Sequence, residues 1–119
     1  MKRILVLSDT HGYIDEKIEK YAKSSDEVWH AGDFGSLEIL KKLEKICFFR
    51  GVYGNIDDHF LRRSLSEFEI FNVEKLKILL IHIAGNSKNL SSKVKTLINS
   101  HKPDILVCGH SHILKVKYL

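Results

Sequence analysis

Ile4-Leu5-Val6-Leu7-Ser8-Asp9-Thr10-His11-Gly12 is the stretch whose reading decides the fold. Four consecutive apolar residues, with no polar residue alternating between them, read as a strand buried on both faces, as in a parallel sheet covered by helices. The run ends on an Asp and a His with glycine beside them, and that ending recurs along the chain. Val28-Trp29 leads into His30-Ala31-Gly32-Asp33. Ile46-Cys47-Phe48-Phe49 leads into Gly51-Val52-Tyr53-Gly54-Asn55-Ile56-Asp57. Ile78 to Ile81 meets His82, and Ile105 to Cys108 meets Gly109-His110-Ser111-His112. In an open α/β sheet the carboxyl ends of the strands face one crevice, where ligands bind. These ends can therefore pool Asp9, His11, Asp33, Asn55, His82, His110 and His112.

Helical spacing fills the gaps between the early strands: Ile14, Ile18, Tyr21 and Ala22; then Leu37, Leu40 and Leu43; then a short helix over Asp57 to Leu65. The rhythm then changes. Phe68 to Val73 and Leu76 to Ile83, separated by Glu74-Lys75, predict a hairpin. Leu90, Val94, Leu97 and Ile98 predict a further helix capped by Asn89, and Lys102-Pro103-Asp104 stops it. Ile105 to Cys108 and Ile113 to Leu119 are the last strands. The expected class is α/β, with a largely parallel first half and antiparallel strands in the second.

With 119 residues, 44% hydrophobic and 29% charged, the chain has the balance of one globular domain over 1–119. No apolar run approaches a membrane span, and the opening run is too short for a signal peptide. Cys47 and Cys108 each lie in an apolar stretch and read as reduced thiols of a cytoplasmic protein. The charge is +4 and the pI near 9.1. The lysines are mixed with Glu rather than clustered, and no aromatic–basic interleaving is seen, so nucleic acid is not indicated as a partner. His59 and His101 read as surface residues; His30, three residues before Asp33, falls near the pooled site.

Imidazole, carboxylate and an amide oxygen together suit divalent transition metals such as Mn, Fe, Ni or Zn. Seven donors exceed one tetrahedral site and suit two octahedral ions sharing a carboxylate. Two ions ~3.5–4 Å apart form a clamp for in-line attack on phosphorus. Taken singly, each motif has an ordinary reading: a turn at Asp-Thr-His-Gly or Gly-Asp, a turn with Asn55 left-handed, a hydrogen-bonded core histidine at His82. Their joint recurrence at strand ends is what points to a metal centre.

The ordered blocks Asp-x-His, Gly-Asp, Gly-Asn-x-Asp, strand-end His and Gly-His-x-His resemble the calcineurin-like metallophosphoesterase superfamily, from Ile4 to about Ile113. The compact forms are most similar to small phosphodiesterases of the YfcE type, whose fold the retromer subunit Vps29 shares. The resemblance implies a two-sheet αββα sandwich of mixed strands. It implies one ion held by Asp9, His11, Asp33 and His112 and another by Asp33, Asn55, His82 and His110, with Asp33 bridging. The catalytic set is then Asp33, Asn55 and His82. The cofactors are two divalent metal ions per chain, manganese first, with Ni, Fe, Zn or Mg as alternatives. The implied reaction is hydrolysis of a small phosphorylated substrate, a phosphodiester, by in-line attack of a metal-bridging hydroxide. The alternative is a Vps29-like non-catalytic metal-binding or protein-interaction module.

The chain departs from the family pattern in three places. Many members have a His after the motif Asn; here Ile56 stands there. Ile83-Ala84-Gly85-Asn86 follows His82 where Gly-His is usual. Relatives continue after Gly-His-x-His through further strands, whereas this chain has room for one, so shortened C-terminal strands are expected. Leu114, Val116 and Tyr118 then present an apolar face, and self-association, most simply into a dimer, is expected.

Overall fold

The computed structural model describes residues 2–85, 89–110 and 115–119. Two sheets form the centre of the molecule. The first is parallel, with β1 (Ile4–Leu7), β2 (Glu27–His30) and β3 (Phe48–Gly51) in the order β1-β2-β3. Its crossovers are α1 (Glu16–Lys23) and α2 (Leu37–Ile46), and α3 (His59–Ser64) follows β3. The second sheet contains β4 (Phe68–Val73), β5 (Leu76–Ile81), β6 (Ile105–Cys108) and β7 (Lys115–Tyr118) in sequence order, with α4 (Ser92–His101) between β5 and β6. The β4/β5 and β6/β7 pairs are antiparallel and the β5/β6 pair is parallel.

Strand alternation assigns the layers. Trp29, Phe71, Val73, Ile78, Leu80, Ile105 and Val107, with Ile4 and Val6, interdigitate between the sheets. The opposite face of the first sheet, with Leu5, Leu7 and Val28, receives Ile18 and Ala22 of α1 and Ile39, Leu40 and Leu43 of α2. The outer face of the second, with Leu79, Ile81, Leu106 and Cys108, receives Val94, Leu97 and Ile98 of α4. The result is the expected αββα sandwich.

Three local expectations are corrected. β1, the most apolar run, is an edge strand and only half-buried; β2, with only two apolar residues, is the fully buried centre. Ile46 ends α2 instead of opening β3, which shifts to Phe48–Gly51 because Leu43 and Ile46 share the helical face on the first sheet. The N-cap of α4 is Ser91, whose side chain accepts from Val94 N, rather than Asn89. Residues 113 and 114 of the expected last strand lie outside the described residues. No helix among the described residues is long and apolar enough to cross a membrane.

Candidate metal centre

The loops after β1 and β2 run side by side: Asp9 N donates to Gly32 O, His11 N to Asp33 O and Gly12 N to Phe34 O. This pairing extends the parallel sheet by a few residues and brings the two carboxylates together. Asp9, His11, Asp33 and His110 all have positive φ, between 50° and 79°, a region that side-chain-bearing residues rarely adopt and that is concentrated at functional sites. Asn55, which a turn reading places in that region, is not among them. Among the described residues only Glu74 and Lys102 share this conformation outside glycine, so most of this strain falls on the candidate donors.

Two donor groups result. Asp9, His11 and Asp33 each offer an atom within 4.8 Å of the others, and so do Asp33, His82 and His110. Asp33 belongs to both. Its Oδ2 lies 3.9 Å from His11 Nε2 and 3.2 Å from His82 Nε2, while its Oδ1 accepts from Ile56 N at 3.1 Å. Asn55 joins the second group: its Oδ1 is 2.9 Å from His82 Nε2 and 3.0 Å from His110 Nδ1. His112 lies outside the described residues.

The residues fit divalent cations on two counts. Asp9 Oδ1 is buried and no hydrogen bond among the described residues reaches it, a costly condition unless a cation lies beside it; Asp9 Oδ2 accepts from His110 N. His82 is the second count. Its Nδ1 lies 2.7 Å from Ala31 O, so that nitrogen donates and the ring presents Nε2 to Asp33 Oδ2 and Asn55 Oδ1. A carboxylate and a carboxamide oxygen gathered around an imidazole nitrogen are stabilised by positive charge among them. Glycine permits this closeness. A Cβ on Gly32 would meet His82 Nδ1 at 2.6 Å, and one on Gly54 would collide with Asp33 Oδ1.

A supporting layer lies behind the donors, and sequence reading assigned it no role. Asp57 is buried; its Oδ2 accepts from Asp33 N (2.9 Å) and Gly54 N (2.8 Å), and its Oδ1 from Gly35 N (3.1 Å). It ties the β2 loop to the β3 loop. His30 ties the β2 loop to the β1 loop. Gly32 N donates to its Nδ1, which leaves the proton on Nε2, 3.0 Å from Thr10 Oγ1, and the Thr10 hydroxyl donates to Phe34 O. His30 stacks on Phe34 with ring centroids 3.7 Å apart. Burial above all holds its pKa down at about 3, so it is neutral. The signal for Asp57 was its place in Gly-Asn-Ile-Asp, and for His30 its place three residues before Asp33. His59 and His101 are exposed.

Beside the second donor group a cleft of about 420 Å³ opens, lined by Tyr53, Asn55, Arg62, Glu67, His82 and Lys93 among others. Arg62 Nε donates to Asp57 O and Nη2 to Asn55 O, and its guanidinium lies over the Tyr53 ring at 4.8 Å. Lys93 pairs with Glu67.

Carboxylates, imidazoles and a carboxamide gathered at the strand ends of a two-sheet sandwich define the metallophosphoesterase class. The chain belongs to the calcineurin-like phosphoesterase superfamily, whose domain model matches residues 1–119. Two curated proteins described as probable metallophosphoesterases are similar. That of Mycoplasma pneumoniae is 34% identical over 118 residues, covering 95% of this chain and 69% of the relative. That of Methanothermobacter thermautotrophicus is 29% identical over 112 residues, covering 90% and 64%. The chain thus spans about two thirds of the length of these curated relatives. Vps29 of Chaetomium thermophilum shares the fold at a TM-score of 0.77 and 18% identity, covering 95% of this chain and 64% of that one. A structure described as a novel archaeal phosphodiesterase aligns at a TM-score of 0.66 and 25% identity, covering 93% and 74%.

Proposed function

We propose that the chain is a binuclear divalent-metal-dependent phosphodiesterase. The observation that carries this is the sharing of Asp33 by two donor groups, beside an Asp9 carboxylate oxygen that lies 3.9 Å from His11 Nε2 and that no hydrogen bond among the described residues reaches. Asp9, His11 and Asp33, with His112, would hold one ion; Asp33, Asn55, His82 and His110 would hold the other. Divalent ions there, manganese first, would supply Lewis acidity toward water and the phosphoryl oxygens. The chain's own part is positioning. Ala31 O fixes the His82 ring, the Asp57 carboxylate fixes the Asp33 and Gly54 backbone, and Ile56 N steadies Asp33 Oδ1 so that Oδ2 faces the histidines. Ile56 has no proton to give a departing oxygen, which favours diesters with acidic leaving groups. The archaeal phosphodiesterase likeness supports the reading.

A Vps29-like interaction module is the competing reading. A scaffold has no need to keep Asp9, Asp33, Asn55, His82 and His110 converging. Assay of the chain with Mn, Ni, Fe, Zn and Mg on bis(4-nitrophenyl) phosphate and 4-nitrophenyl phosphate, with metal content measured in parallel, tests the proposal. Two ions per chain and turnover of the diester are expected. Bound metal without turnover of either ester overturns it in favour of the module.

A further inference from the structure

We propose that Arg62 selects the substrate: its guanidinium receives a second anionic group, phosphate or carboxylate, carried by the organic part of the phosphodiester. This deepens the phosphodiesterase reading and rests on it.

The argument starts from charge. Arg62 and Lys93 are cations lining the cleft, and Glu67 is an anion lining it; Glu67 is paired with Lys93. Among the described residues no carboxylate pairs with Arg62. Its contacts are two backbone carbonyls, through Nε and Nη2, and the Tyr53 ring. These contacts orient the guanidinium without neutralising it, and no hydrogen bond among the described residues engages Nη1. A planar guanidinium held in this way is prepared for a bidentate oxyanion, and little side-chain freedom is lost when it binds one.

Position supplies the rest. Arg62 grips the carbonyl of Asn55, whose side chain faces His82 and His110. The reacting phosphoryl group belongs at those donors. The cleft continues past Asn55 and has room for more than a phosphoryl group, with Tyr53 and Ile83 as apolar walls. The esterified organic group would lie there, and a charge on it would meet Arg62. Arg63, the next residue, does not line the cleft.

The test uses the manganese-loaded chain and two esters, thymidine 5′-(4-nitrophenyl phosphate) with and without a 3′-phosphate. The 3′-phosphate is expected to lower KM about tenfold, the low end for a charge-assisted hydrogen bond because Arg62 is exposed. Arg62→Gln should erase that advantage, Arg62→Lys should keep only part of it, and Arg63→Gln, which removes the same charge, should keep all of it. Absence of a KM advantage in the wild type, or its survival in Arg62→Gln, overturns the proposal. A separate arm needs no turnover: in the metal-free wild-type chain, inorganic phosphate and acetate are titrated while the Arg62 Nε–Hε NMR signal is followed. A shift with phosphate alone assigns a phosphate group; a shift with both admits a carboxylate; no shift overturns the role of Arg62. If neither ester is hydrolysed, the phosphodiesterase reading fails and the NMR titration decides Arg62 alone.

Discussion

Asp33 joins the two halves of the site through one oxygen, with His11 on one side of Oδ2 and His82 on the other. Asp33→Asn keeps the shape but removes the charge shared by both donor groups. It is expected to lower both metal content and turnover, whereas His112→Ala should weaken mainly one ion. Two ions and near-native turnover in Asp33→Asn would show the bridging assignment to be wrong. Ile56 sits beside Asn55, about half exposed, where a positioned acid would contribute ~10²–10⁴-fold. Turnover is therefore expected to fall steeply as leaving-group pKa rises, and a shallow dependence across a series of aryl diesters would reveal another acid. Asp57 is the residue that sequence reading left without a role. Its carboxylate serves three backbone N–H groups, and each buried donor left unpaired costs about 1–3 kcal/mol. Asp57→Ala should lower the stability of the metal-free chain by on the order of 3 kcal/mol and weaken manganese binding, read by urea denaturation and metal titration. Unchanged affinity would make Asp57 a turn residue only. The candidate donors were legible because their side-chain types suit metal chemistry. Asp57 was not, because a brace differs from a ligand only in whether it faces backbone N–H groups or the cavity.

At the scale of elements, β2 shows why pattern and burial diverge. Glu27 and His30 flank its two apolar residues, and both are buried in the central strand. Burial pushes the Glu27 carboxyl up, but the bonds from Lys2, Trp29 and Arg50 outweigh it and leave the pKa below the ordinary value. His30 is held neutral, with its pKa lowered from 6.5 to about 3. A depressed pKa means that the unfolded chain binds the proton first. The stability His30 contributes is thus complete above about pH 6.5 and lost as pH falls toward 3, at no more than about 1.4 kcal/mol per pH unit. Urea midpoints recorded from pH 7 down to 4 should fall along that slope, and His30→Gln should flatten it. An unchanged slope in the variant would place the acid sensitivity elsewhere. The shift of β3 from Ile46 to Phe48 has a comparable cause: a continuous apolar run fits the end of a helix as well as a strand, and only packing decides between them.

At the scale of the molecule, each end of the site depends on the other. Asp9 and His110 are far apart in sequence, yet His110 N bonds Asp9 Oδ2 across the two sheets. Ions that bind only this assembled arrangement stabilise the fold by mass action, about 2.7 kcal/mol at a hundredfold excess over Kd. Manganese should therefore raise the melting temperature of the chelator-treated chain, and equal melting with and without metal would count against a preformed site. Among the described residues β7 is an edge strand of the second sheet, with Val116 and Tyr118 exposed. The self-association proposed for this face should show as a dimer in light scattering, and a monomer at high protein concentration would refute it.

The sequence by itself determined the α/β class through its apolar periodicity, its resemblance to a known family implied the αββα sandwich, and it singled out Asp9, His11, Asp33, Asn55, His82 and His110 as candidate donors, because periodicity and side-chain chemistry are local properties. Tertiary structure alone decided that β2 rather than β1 is central, that the left-handed strain falls on Asp9, His11, Asp33 and His110, and that Asp57, His30 and Thr10 hold the loops in place. It also decided that Arg62 reaches the cleft without a carboxylate partner among the described residues. These depend on which backbone groups and lone pairs meet across the sheets. Such meetings are set by the packing of distant segments, and no window of sequence contains them.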